Sequence, residues 1–235
     1  MIDTAVLIAG GMATRLGALV RDLPKSLVEV AGTPFIAHQL RLLQRNGIGS
    51  VLLCVGHQGE KIERFVGDGA AFGLRVEYAY DGPRLLGTGG ALLQALPKLP
   101  DAFLALYGDS YLDADYRPAL RAFEAGNAPA LMTVIRNEGR WGESNAQYDE
   151  GRVLRYDKRR RTAGMDHFDY GLLLFRRKAF DGASTRRPLD LADVLGPLAD
   201  EGLLLGHEMT DPLFEIGSPD GLDALRRHLS PARQP

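Results

Sequence analysis

A glycine pair, an arginine and a lysine are drawn together near the start of the chain, in Gly10-Gly11-Met12-Ala13-Thr14-Arg15 and then Leu23-Pro24-Lys25-Ser26. Glycines after an apolar run let backbone N–H groups approach an anion or a flat ring closely. Arginine adds a planar fork and lysine a point charge, a combination suited to a polyphosphate. The same residues also make an ordinary glycine turn with two solvated cations, and both readings stand at this level. Neither common phosphate fingerprint is present, since G-x-x-x-x-G-K-[ST] and G-x-G-x-x-G are both missing.

A second candidate lies in Tyr107-Gly108-Asp109-Ser110. Asp109 follows an apolar run and a glycine. A carboxylate there is either a turn residue or a hard-oxygen ligand for Mg²⁺, which binds through a few carboxylates together with substrate phosphates. Asp113 and Asp115 read as surface acids. The five histidines are scattered without ligand spacing, and the single Cys54 excludes an internal disulfide and a multi-cysteine metal site. No nucleophile–base pair emerges.

These groups need a frame. Ala5 to Ala9, Val51 to Val55, Phe103 to Tyr107 and Leu131 to Ile135 are almost wholly apolar, as strands of a parallel sheet covered on both faces are. Between them, Thr33-Pro34 reads as a cap and first-turn proline for a helix whose Phe35, Ile36, Leu40, Leu42 and Leu43 share a face. Gln58 to Val66 and Arg117 to Ala125 read as further helices, and Ser218-Pro219 as the start of one ending near Leu229. Strands alternating with helices predict an α/β fold: a doubly wound, mostly parallel, Rossmann-like sheet in a three-layer α/β/α sandwich. Asn145 to Tyr148, Val153 to Tyr156 and Phe168 to Phe175 read as a small β-rich insertion over the sheet edge. Ligands of such sheets sit beyond the carboxyl ends of the strands, where Gly10-Gly11 and Gly108-Asp109 fall.

Composition narrows the partners. The chain has 235 residues, 45% apolar and 25% charged, and its 28 Lys and Arg against 30 Asp and Glu leave a formal net charge of −2. That balance gives no global electrostatic reason to bind nucleic acid or an anionic membrane. No apolar run is long enough to cross a bilayer, and no basic segment precedes the first one as in a secretory signal. The expectation is a cytoplasmic protein with one domain over residues 1–229 and a loose tail at 230–235.

The stretch I-A-G-G-M-A-T-R-L-G followed by L-P-K-S-L-V-E-V-A-G-T-P-F-I resembles the signature of the sugar-1-phosphate nucleotidyltransferases, the nucleotide-sugar pyrophosphorylases. Further matches follow in order: L-L-G-T-G-G-A-L at Leu85 to Leu92, Y-G-D-S at Tyr107 to Ser110, R-Y-D-K at Arg155 to Lys158, D-Y-G-L at Asp169 to Leu172 and F-E-I-G-S-P at Phe214 to Pro219. Their sequence is most similar to the D-glycero-D-manno-heptose 1-phosphate guanylyltransferase group, and next to the N-acetylmuramate 1-phosphate uridylyltransferases.

The resemblance implies that a sugar-1-phosphate oxygen attacks the α-phosphorus of a nucleoside triphosphate and expels pyrophosphate, with GTP and heptose 1-phosphate favoured. It implies catalytic roles for Arg15 and Lys25, and nucleotide contacts from Ala9, Gly10, Gly11, Arg15, Lys25, Gly87 and Thr88. It implies Mg²⁺ on Asp109 and Glu215, where most relatives carry aspartate at the second position. Sugar-phosphate contacts fall to Asn145, Asp157, Lys158 and Asp169. Residues 1–135 would be mainly nucleotide-binding and 136–180 mainly a sugar-binding insertion. Transfer from UTP, CTP or dTTP, a non-sugar acceptor such as choline phosphate, a non-catalytic nucleotide-sugar-binding regulator, and a homo-oligomer all stay open.

Overall fold

The computed structural model describes residues 1–11, 23–82, 84–184 and 188–230. Nine strands form the main sheet of the described residues: β1 (Thr4–Ile8), β4 (Ser50–Val55), β5 (Arg75–Tyr80), β6 (Ala102–Tyr107), β8 (Ala130–Arg136), β9 (Ala146–Asp149), β10 (Arg152–Tyr156), β11 (His167–Arg176) and β12 (Leu204–Glu208). Two short ribbons complete the strands, β2 (Glu29–Val30) with β3 (Thr33–Pro34), and β7 (Ser110–Leu112) with β13 (Leu213–Glu215). The helices are α1 (Phe35–Arg45), α2 (Gly59–Val66), α3 (Gly87–Ala95), α4 (Arg117–Glu124), α5 (Ala192–Asp200) and α6 (Pro219–Leu229).

The main sheet runs β5-β4-β1-β6-β11-β8-β12-β10-β9. Its first four strands are parallel, β11 is antiparallel to both its neighbours, and β12 is parallel to β8. Alternation explains the apolar runs. Leu7, Val51, Leu53 and Val55 enter one core, while Val6, Leu52 and Cys54 enter the other across the sheet. Both faces are covered, so strand positions of either parity are buried and the sequence shows no period of two. Cys54 is inert core; burial pushes its thiol up to about 12.

Two expectations are corrected. Phe168 to Phe175 is not an edge piece: β11 lies at the centre of the sheet, between β6 and β8. The strand does double duty through a register shift between Asp169 and Leu173, where Gly171 takes φ +96°. Its beginning pairs with β9 at His167, and its end with β6 from Leu172 onward. Of the three strand pieces expected there, only the hairpin β9–β10 lies at an edge of the sheet, the one opposite β5. Thr33 is likewise no cap, because it pairs with Val30 in the β2–β3 ribbon. The first turn of α1 is closed instead by the Phe35 N–H donating to the Val28 carbonyl at 2.9 Å. At α6 the expected cap is present, with Ser218 Oγ accepting from the Gly221 N–H at 3.1 Å.

Candidate active site

The carboxyl ends of β1, β4 and β6 meet with almost no space between backbones. The Ala9 N–H donates to Cys54 O at 2.8 Å and the Gly108 N–H to Ile8 O at 3.0 Å. A methyl group on Gly108 would stand 2.6 Å from Ile8 O, and one on Gly56 would stand 2.9 Å from Gly10 O. These glycines are where they are because nothing larger fits. Beside them Asp81 follows β5, with a carboxylate oxygen 3.0 Å from where a Gly10 methyl would lie. Burial raises the Asp81 carboxyl, and the Leu86 N–H opposes that rise. Arg15, named with this loop, lies outside the described residues.

Lys25 opens a short 3-10 turn over Lys25–Leu27. Its Nζ donates to Asp109 Oδ2 at 2.8 Å, and only 13% of the lysine side chain is exposed against 35% of the aspartate. Sequence reasoning gave these residues separate duties; here each is the other's partner. Glu215 joins them through backbone pairing. It stands opposite Ser110 in the β7–β13 ribbon, and the next residue, Ile216, donates its N–H to Asp109 O at 2.9 Å. Among the described residues no group of three or more His, Cys, Asp or Glu forms a metal cage. The ribbon sets the backbones of Asp109 and Glu215 side by side, and hard carboxylate oxygens completed by substrate phosphates are the kind of donor that Mg²⁺ takes.

Gly87 and Thr88 begin α3 but meet protein. Gly87 has φ +77°, and a methyl there would be 2.4 Å from Leu189 O. That carbonyl accepts the Gly89 and Gly90 N–H groups at 2.9 and 3.1 Å, while Thr88 Oγ1 accepts the Leu191 N–H at 2.9 Å. Part of the helix N-terminus is therefore occupied by the chain's own segment 189–191, which sequence reasoning missed.

On the other flank, three expected sugar ligands also make bonds that hold the fold. Asn145 Oδ1 accepts the Asp169 N–H at 2.9 Å. Asp157 Oδ1 accepts the Arg159 and Arg160 N–H groups, the first of which chiefly holds its carboxyl below the usual range. Asp169, 6% exposed, accepts from Tyr156 Oη at 2.7 Å, Tyr107 Oη at 3.2 Å and the Gly171 N–H at 3.0 Å. Burial and the Asp169 charge together push both tyrosine hydroxyls well above their ordinary range. Lys158 stands at the surface beside them, with Nζ 3.1 Å from Tyr107 Oη and 3.6 Å from Asp190 Oδ1. Tyr156→Phe removes a buried charge-assisted bond and is expected to lower the unfolding free energy by about 2 kcal/mol. Urea denaturation checks this, and an unchanged midpoint would show that Tyr107 and Gly171 suffice for Asp169.

A cavity of about 690 Å³ opens beside Glu215, lined among others by Arg140, Trp141, Phe168, Phe214 and Asp220. A hollow of about 930 Å³, bordered by Pro129, Leu203 and Leu205, lies by the beginnings of β8 and β12 and contains none of the charged groups gathered around Asp109. Among the described residues no helix is long and apolar enough to cross a membrane.

Known proteins resemble this chain in sequence and in fold. The sequence profile of the nucleotidyl transferase family matches residues 4–209. Mannose-1-phosphate guanylyltransferase of Mycobacterium tuberculosis is 30% identical over 92% of this chain, which spans 61% of that protein's length. N-acetylmuramate alpha-1-phosphate uridylyltransferase of Neisseria meningitidis is 27% identical, with 91% of this chain and 93% of that protein covered. The crystal structure of HddC from Yersinia pseudotuberculosis superposes with a TM-score of 0.80 at 18% identity, covering 97% of this chain and all of that one.

Proposed function

The chain belongs to the nucleotidyl transferase family, and from that premise we propose that it transfers a nucleoside monophosphate from a triphosphate to a sugar 1-phosphate, releasing pyrophosphate, with GTP and heptose 1-phosphate as the favoured pair. The observation that carries the reading is the Lys25–Asp109 pair at the carboxyl end of β6, with Glu215 in the adjoining ribbon. The sugar phosphate oxygen, already anionic, forms its bond to the α-phosphorus as the bond to the pyrophosphate oxygen breaks. No proton has to move, so the chain's task is to bring two polyanions together in line and neutralise them.

Lys25 exchanges Asp109 for phosphate oxygens near the reacting phosphorus, and Arg15 grips the triphosphate. Ala9, Gly10 and Gly11 face the nucleotide, and the Gly87-Thr88 turn, itself held by the segment 189–191, borders it. Lys158, steered by Tyr107 and Asp190, meets the sugar phosphate, and the cavity beside Glu215 takes the sugar. Asn145, Asp157 and Asp169 shape this flank through the bonds just described. Mg²⁺, when bound, would be held by Asp109 and Glu215 and would add positive charge to the phosphates. The guanylyl half of the pair draws support from the guanylyltransferase among the relatives; the heptose half rests on the order of the sequence motifs alone.

The test crosses five common triphosphates with heptose, mannose, glucose and N-acetylmuramate 1-phosphates and reads pyrophosphate. Release dominated by GTP with heptose 1-phosphate is expected. Another dominant pair would keep the reaction and change the substrates; silence from a folded, nucleotide-binding protein would overturn the reaction itself.

A further inference from the structure

The buried face of α1 is apolar through Phe35, Ile36, Leu40 and Leu43, with one amide set among them. Gln39 is 2% exposed, and a polar group so placed is costly unless its hydrogen bonds are made. Its Nε2 donates twice, to Tyr107 O at 3.0 Å and to Ser110 O at 2.8 Å. Those carbonyls flank the Gly108-Asp109 dipeptide, at the point where the chain leaves β6 for β7. From the opposite side the Gly108 N–H is tied to Ile8 O. The dipeptide bearing the Asp109 carboxylate is thus clamped on both sides, by a strand backbone and by one side chain.

The second half of the amide makes no such return. Gln39 Oε1 is buried with no hydrogen-bond partner among the described residues. An apolar side chain of similar size would fill the same space without that cost, so packing alone does not account for glutamine here. The same helix also holds the other member of the pair. His38 Nε2 donates to Val30 O at 2.8 Å, the Phe35 N–H donates to Val28 O, and the Val28 N–H closes back on Lys25 O at 3.1 Å. One helix therefore fixes the turn that presents Lys25 and the loop that presents Asp109.

We propose that Gln39 is a positioning residue, which sets where the Asp109 carboxylate stands relative to Lys25 and to a divalent cation bound at Asp109. The proposal rests on the functional reading above, in which Asp109 serves the phosphates. Gln39 touches neither substrate nor cation and acts only through the two carbonyls.

Gln39→Met removes the donor and the orphaned acceptor together; Gln39→Glu keeps the shape and loses the donor. For each, thermal unfolding, the affinity for Mn²⁺ alone and the kinetics of pyrophosphate release are measured. Mn²⁺ binding is read by electron paramagnetic resonance of the free ion, without substrate. Groups that orient metal ligands typically matter about tenfold or more to metal affinity. Gln39→Met leaves the Tyr107 and Ser110 carbonyls without this donor and is accordingly expected to melt somewhat below the wild type while staying folded, to bind Mn²⁺ about tenfold more weakly, and to lose kcat with the sugar-phosphate KM unchanged. Gln39→Glu is expected to weaken Mn²⁺ binding to a similar degree. Wild-type Mn²⁺ affinity and kcat in folded Gln39→Met would overturn the proposal, as would a wild-type chain that binds no Mn²⁺. Wild-type binding of Mn²⁺ that weakens in the variants, with no pyrophosphate from any chain, would uphold the positioning role and fail the reaction instead.

Discussion

Asparagine at position 109 is expected to slow pyrophosphate release by roughly a thousandfold, the upper end of what one well-placed charge stabiliser contributes. The substitution keeps the shape of the side chain and an oxygen for Lys25, and removes the negative charge. The ribbon that seats Glu215 uses only the Asp109 carbonyl, so that contact survives. Lys25, with only 13% of its side chain exposed, loses its counter-charge but keeps an oxygen partner, so the melting temperature is expected to fall modestly with the fold intact. Lys25→Met should be of comparable severity, because its charge lies 2.8 Å from that carboxylate. If the two act as a unit, the double variant falls little further than either single one, since residues sharing one step are strongly non-additive. Multiplying losses would assign them to separate steps, and full activity in Asp109→Asn would remove Asp109 from the reaction. Initial rates of pyrophosphate release, with circular dichroism melts of all four proteins, decide among these outcomes.

How much of this could be read from the sequence depended on whether a residue's role is local. The strands were legible because both faces of the sheet are covered, so Leu52 and Leu53 are buried on opposite sides and the apolar run is continuous. The cap of α6 was legible because Ser218 bonds three residues ahead. The place of β11 was not. Its apolar composition fits an edge or a centre equally, and only the break at Gly171 lets its two halves join different neighbours. At the site, the sequence marked Lys25, Asp109 and Glu215 without revealing that Lys25 and Asp109 pair, 84 residues apart. Asp169 was conspicuous as an acid in an apolar strand, but its tyrosine donors are brought in by folding, whereas Asp157 accepts from N–H groups two and three residues ahead in a local turn. Gln39 had a detectable signal, a single polar residue within the apolar stripe of α1. Leu189 had none, because its carbonyl does the work and every residue has one.

That carbonyl makes Gly87→Ala the most informative backbone substitution. An alanine at φ +77° is strained by roughly 1 kcal/mol in any setting. At position 87 it also puts a methyl 2.4 Å from Leu189 O, and because that obstacle is backbone no side chain can swing away. The control is Gly47→Ala, at φ +83° with nothing within 4 Å of the added methyl; it bears the strain without the collision. Gly87→Ala is therefore expected to lose about 2 kcal/mol more than Gly47→Ala in urea unfolding. The consequence for activity follows from what adjoins the carbonyl. Leu189 holds the first turn of α3 through the Gly89 and Gly90 N–H groups, and its neighbour Asp190 lies 3.6 Å from Lys158 Nζ. Pushing Leu189 away disturbs the nucleotide side and the sugar-phosphate side in one movement. A displacement near 1 Å at a positioning group can cost about a hundredfold in rate, so kcat/KM is expected to fall by that order for both substrates, against an unchanged value in Gly47→Ala. A fall confined to the triphosphate would mean that the segment 189–191 serves α3 alone, and that Lys158 takes its position from Tyr107.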